Sequence, residues 1–133
     1  MTDRKKVVLI VDDDPDWIEF TKIVLLKIGD LSVISAHNGE IGLEKAAAEV
    51  PDLIILDVMM PKKDGFNVFY ELRANPKTKE IPVIMLTGVS EKSGIKFSEK
   101  DMKEFIGEKP LEFIDKPVDP QKLEEAAKKA LKI

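Results

Sequence analysis

The sequence predicts an α/β fold, a parallel sheet of five strands with helices on both faces. Three observations point there. VVLIV (7–11), LIIL (53–56) and IPVIMLT (81–87) are continuous apolar runs rich in β-branched residues, as strands buried on both faces should be. Stretches with helical apolar spacing separate the strands. The β-then-α order recurs five times with short connections, which calls for parallel pairing and crossover helices. At 133 residues the chain suffices for one domain with a real core and is short for two.

Each element follows from local chemistry. After VVLIV, Asp14 offers an N-cap and Pro15 suits the first helical position. Phe20, Ile23, Val24 and Ile28 carry the apolar spacing of that helix, and Gly29 stops it. LSVISA (31–36) is the second strand. Asn38 caps a helix whose inward residues are Leu43, Ala46, Ala47 and Val50, with Pro51 beyond its end. LIIL is the third strand. Phe66, Phe69 and Leu72 mark a helix that closes near Asn75-Pro76. IPVIMLT is the fourth strand and LEFID (111–115) the fifth. Asp119 and Pro120 open a last helix with Leu123, Ala127, Ala130 and Leu131 inward. The segment 88–110 is polar and irregular, and a short helix is expected near 99–106.

Composition narrows the function. The chain is 44% hydrophobic and 35% charged, with a net charge of −4 and no basic block, which argues against nucleic-acid partners. It has no cysteine, so thiolate metal sites and cysteine nucleophiles are excluded, and a reducing compartment is the expectation. Val7–Val11 is too short for a signal-peptide core, and no apolar run approaches a membrane span. A cytoplasmic protein with no membrane contact is expected.

The polar residues fall in a pattern. In open parallel sheets, ligands bind beyond the carboxyl ends of the strands. Here the first strand ends in Asp12-Asp13, the third in Asp57, the fourth in Thr87 and the fifth in Asp115-Lys116-Pro117. Three carboxylates at one edge repel unless a cation sits among them. All-oxygen ligands favour Mg²⁺ or Mn²⁺ over zinc. Lys116 and Thr87 can contact phosphate oxygens. Asp57 among these groups is equipped to act as a carboxylate nucleophile toward phosphorus.

VLIVDDDP, LIILDVMMPKKDG, IMLTG and FIDKP resemble, in order, the signatures of bacterial two-component response-regulator receiver domains, and the resemblance covers essentially the whole chain. It implies a flavodoxin-like sheet of order 2-1-3-4-5 and a single receiver domain over residues 1–133, stand-alone like the chemotaxis regulators, with no output domain. It implies that Asp57 is the phosphoacceptor and that Asp12, Asp13 and the Met59 backbone carbonyl hold Mg²⁺ with it. Thr87 becomes the switch hydroxyl, Lys116 the phosphate-contacting lysine and Phe113 the aromatic switch. A cis peptide is implied between Lys116 and Pro117, and Asp64-Gly65 is implied as the turn that opens the third helix. The partners implied are a histidine kinase or histidine phosphotransfer protein and an output protein. The domain takes part in its own phosphorylation and is not a turnover enzyme.

Some features depart from the pattern. Gly88 stands where the family usually has alanine or another small residue, which is compatible with the pattern, and the interval from Thr87 to Lys116 is longer than usual. Met59 and Val89, two positions beyond Asp57 and Thr87, cannot orient water, so slow self-dephosphorylation is expected. Asp12 and Asp14 also match the Asp-x-Asp spacing of haloacid dehalogenase-type phosphohydrolases, although Pro15 starts a helix at once. An interaction module that keeps the fold without phosphorylation would have lost an acid or the lysine, and none is lost. A flavodoxin-like cofactor binder would need a phosphate-cradling loop where acids stand instead. Trp17, beside the acidic loop, is either packing or a fluorescent reporter of it. His37 reads as a solvated loop residue.

Overall fold

The computed structural model describes residues 5–60, 63–87, 112–116 and 118–133. Its elements run β1 (Lys6–Val11), α1 (Pro15–Leu26), β2 (Leu31–Ala36), α2 (Gly39–Glu49), β3 (Leu53–Asp57), α3 (Gly65–Ala74), β4 (Val83–Thr87), β5 (Glu112–Asp115) and α4 (Pro120–Leu131). The strands form one sheet of order β2-β1-β3-β4-β5, and every pairing is parallel. Four helices lie among the described residues. The helix expected near 99–106 falls outside them, as does Pro117 with its expected cis peptide.

The sheet separates two apolar layers. On one face, Leu9, Val11, Ile54, Leu56, Val83 and Met85 meet Ala46 of α2 and Val68, Phe69 and Leu72 of α3. On the other, Val8, Ile10, Ile55, Ile84 and Leu86 meet Val24 and Leu25 of α1 and Leu123, Ala127 and Leu131 of α4. Adjacent strand residues thus feed opposite layers, which is why the central strands read as unbroken apolar runs. β3 and β4 are buried along their whole length.

The caps are built as expected. Asp14 Oδ1 accepts from the Asp16 N–H at 2.9 Å, and Asn38 Oδ1 from Ile41 N–H at 2.8 Å. Asp64 Oδ1 accepts from Asn67 N–H at 2.9 Å, and Asp119 Oδ1 from Gln121 N–H at 3.0 Å. Other expectations need correction. α1 ends at Leu26 with Lys27 as a right-handed C-cap, so the helix stops before Gly29. Ile23 is exposed while Thr21, Val24 and Leu25 are buried. At 3.6 residues per turn, Ile23 sits about 100° around the helix from Val24, off the core face. Val50 does not face inward. It caps α2 in the left-handed region at φ 44°, exposed, because Pro51 disfavours continued helix at the residue before it.

Candidate phosphoryl-transfer site

Three strand ends and the residue after β5 converge at the carboxyl edge. Beyond β1 the Asp12 N–H still donates to the Ala36 carbonyl at 3.0 Å, which keeps Asp12 in the sheet as its side chain turns to the edge. Asp57 is the last residue of β3, in register with Leu86, and the next N–H, of Val58, donates to the Leu86 carbonyl at 3.0 Å. Thr87 ends β4. Its carbonyl accepts from the Lys116 N–H at 2.8 Å, which ties the lysine to the β4 end.

Asp12 and Asp57 are 2% and 3% exposed, among the few buried charged residues. The Lys116 ammonium forms an ion pair with Asp57 Oδ1 at 3.1 Å and donates to Asp12 Oδ2 at 3.3 Å. Asp12 Oδ1 also accepts the Asp14 N–H at 3.0 Å. Carboxylate oxygens of Asp12, Asp13 and Asp57 all lie within 4.8 Å of one another, with Asp13 exposed and the other two buried. Three carboxylates against one ammonium leave two negative charges uncompensated. Burial pushes the Asp57 carboxyl up to about 6, the Asp12 carboxylate adds to the rise, and Lys116 opposes it. Burial raises the Asp12 carboxyl as well, against the Asp14 N–H and Lys116.

The structure thus brings together Asp12, Asp13, Asp57 and Lys116, with Thr87 buried at the adjoining strand end. Met59 is exposed just beyond β3. Phe113 is placed by its backbone, paired with Met85 in β5, and its side chain lies outside what is described. Asp14 caps α1 and is not among the grouped carboxylates, so the Asp-x-Asp alternative is not built. His37 is an exposed loop residue.

Two participants are missing from the motif reading. Gly65 lies so close to β3 that a Cβ there would stand 2.4 Å from the Asp57 carbonyl oxygen and 2.8 Å from Val58 Cα. Its place in the Asp64-Gly65 turn was legible, but its contact with the Asp57 backbone was not. Trp17 lays its ring 4.7 Å from the Lys116 ammonium, a pairing across the fold that no local pattern encodes.

A doubly wound parallel sheet with buried acids and a lysine at its carboxyl edge is the layout of a signalling receiver module. The family model for the response regulator receiver domain matches residues 8–128, and the chain belongs to that family, the regulated switches of two-component signalling. It is similar to the chemotaxis protein CheY4 of Vibrio cholerae, with 28% identity and a TM-score of 0.79 over 96% of this chain and 100% of that one. It is also similar to the receiver domain of a signal transduction histidine kinase from Syntrophus aciditrophicus, with 31% identity and a TM-score of 0.78 over 96% of this chain and 90% of that one. In sequence it is 35% identical, over 99% of its length, to the "Probable transcriptional regulator ycf27" of Pyropia yezoensis. It spans 50% of that protein, about half the length of the first curated relatives it matches. Among the described residues, no helix is long and apolar enough to cross a membrane.

Proposed function

We propose that Asp57 accepts a phosphoryl group from the phosphohistidine of a sensor kinase or histidine phosphotransfer protein. A carboxylate oxygen of Asp57 forms the new O–P bond as the P–N bond of the donor breaks, and the electron pair stays on the imidazole nitrogen. The observation that carries this reading is the buried Asp57 carboxylate held 3.1 Å from the Lys116 ammonium beside two further acids. Lys116 contacts an oxygen of the transferring group and offsets its charge. Thr87 supplies a hydroxyl to another.

The acidic group fits a hard divalent cation, Mg²⁺ with Mn²⁺ as the alternative. Its donors are all oxygen, they lie within 4.8 Å of one another, and their negative charge exceeds that of the single lysine. Asp12, Asp13, Asp57 and the Met59 carbonyl would hold it. Bound there, it would neutralise charge on the phosphoryl oxygens.

Phosphorylation shifts a two-state equilibrium, because the phosphoryl group makes contacts with Thr87 and Lys116 that only one state offers. Phe113 follows the Thr87 loop, and an output protein reads the altered surface. Met59 and Val89 leave the acyl phosphate without a side chain to orient water, so its lifetime exceeds seconds. The reading involves no nucleic-acid or membrane contact by this domain.

Incubation with acetyl phosphate and Mg²⁺ tests the assignment. The wild type becomes labelled with one acid-stable, base-labile phosphoryl group and Asp57→Asn does not. Equal labelling of both would remove Asp57 from the mechanism.

A further inference from the structure

The Lys116 ammonium is held on more sides than its two acids supply. Its side chain is 11% exposed, so most of its water shell has been replaced. Two carboxylate oxygens, at 3.1 and 3.3 Å, replace part of it. The indole of Trp17, 4.7 Å from ammonium nitrogen to ring centroid, covers another side. A cation over an aromatic face is attracted by the ring quadrupole, most strongly for tryptophan and more so when water is excluded.

The indole is itself fixed. It meets the Phe20 ring edge-to-face, with centroids 5.5 Å apart and planes at 86°. It packs against the apolar layer shared by α1 and α4. It also stands in the first turn of α1, whose start is set by the Asp14 cap and Pro15. A lysine has four rotatable carbon–carbon bonds and loses considerable entropy when immobilised. Two acids alone would hold it only while both stay ionised and unliganded, and phosphoryl transfer changes one of them. The ring contact does not depend on the state of Asp57.

We propose that Trp17 is a positioning residue for phosphoryl transfer. Its π face keeps the Lys116 ammonium at the mouth of the site while a carboxylate oxygen of Asp57 bonds to phosphorus and the P–N bond of the donor breaks. The proposal rests on Asp57 being the phosphoacceptor.

The chain contains one tryptophan, so biosynthetic incorporation of fluorinated tryptophans alters position 17 alone. Fluorine withdraws charge from the ring face with little change in shape. The expected result is a stepwise fall in the rate of Mg²⁺-dependent labelling by acetyl phosphate from unsubstituted through mono-, di- and trifluorotryptophan. The fall should total about threefold to tenfold, the range of a partly desolvated cation–π contact. Trp17→Phe should keep more of the rate than Trp17→Leu, which preserves apolar bulk without a π face. In NMR spectra the Lys116 ε-methylene protons should lie upfield in the wild type and return toward ordinary lysine values in Trp17→Leu. A rate that is flat across the fluorinated series overturns the proposal. Asp57→Asn, assayed alongside, separates the two claims. If it stays unlabelled and the series is flat, only Trp17 loses its role. If it labels like the wild type, the phosphoacceptor reading falls, and an ordinary Lys116 ε-methylene shift in the wild type would then remove the ring contact as well.

Discussion

Asp57 carries a charge that the unliganded fold disfavours. The side chain is 3% exposed, and burial together with the neighbouring Asp12 lifts its carboxyl to about 6. In an unfolded chain an aspartate titrates near 3.9. The folded pKa is the higher one, so between these values the native state holds a proton that the unfolded state has released. Its contribution to stability is therefore full below the unfolded pKa and is lost as pH rises through about 6. At about 1.4 kcal/mol per pKa unit, the ionised side chain costs on the order of 2–3 kcal/mol at pH 8. Asp57→Asn removes the charge at nearly constant shape. In chelator, the variant should be more stable than the wild type by that amount at pH 8, with the gap closing toward pH 4. Urea midpoints of both proteins across this range would show it. A gap that does not change with pH would mean that desolvation is not what raises the Asp57 carboxyl. Under the proposed function, the same cost favours a divalent cation at the site, because its positive charge would offset the buried carboxylates.

At the scale of elements, the site depends on how closely α3 approaches the end of β3. The Gly65 N–H donates to the Val58 carbonyl at 2.9 Å, and a side chain at position 65 would collide with the backbone of Asp57 and Val58. Backbone cannot step aside as a flexible side chain can, so Gly65→Ala should push the start of α3 away from β3. The expected cost is about 1–3 kcal/mol, as for other overpacked positions, with slower labelling of Asp57 because its carbonyl and side chain move together. Unchanged stability and labelling would show that α3 can shift without moving Asp57. This contact also marks the limit of what was legible beforehand. Strand runs, caps and the acids at strand ends were visible because each is encoded within a few residues, by β-branched runs, by Asp or Asn before a helix, and by polar residues closing apolar runs. The bearing of Gly65 on Asp57 and of Trp17 on Lys116 depends on crossing positions between distant elements, which local spacing does not contain. Ile23 and Val50 misled for a related reason. An apolar residue at near-helical spacing looks inward until neighbours fix the helix's rotation, and a β-branched residue before proline can end as an exposed left-handed cap.

At the scale of the whole molecule, two apolar layers hold a charged edge that is balanced only in part. Lys116 is the sole basic side chain paired with the buried acids among the described residues. Cation and lysine therefore share one task, and each should weaken the need for the other. Lys116→Met keeps most of the unbranched side chain and removes its charge. In chelator at pH 8 the variant should lose about 3–5 kcal/mol, the cost of leaving a buried pair half broken. Near pH 5 the loss should be smaller, because Asp57 is then largely protonated in the folded state. Millimolar Mg²⁺ should raise the unfolding midpoint of both proteins, and more so in the variant, since no ammonium competes for the carboxylates. In the wild type the Mg²⁺ effect should grow as pH rises through about 6, where binding no longer has to expel a proton from Asp57. Stabilisation follows RT ln(1 + [L]/Kd), so midpoints across a Mg²⁺ titration convert directly into the two affinities. RT times the logarithm of their ratio is the coupling free energy between lysine and cation. Equal Mg²⁺ responses in the two proteins would set that coupling to zero and would mean that Lys116 and the cation act on separate charges. A tighter response in Lys116→Met would show the carboxyl edge acting as one electrostatic unit, in which a phosphoryl group arriving at Asp57 must redistribute the contacts of Lys116 and, through its backbone bond to the Thr87 carbonyl, bear on the end of β4.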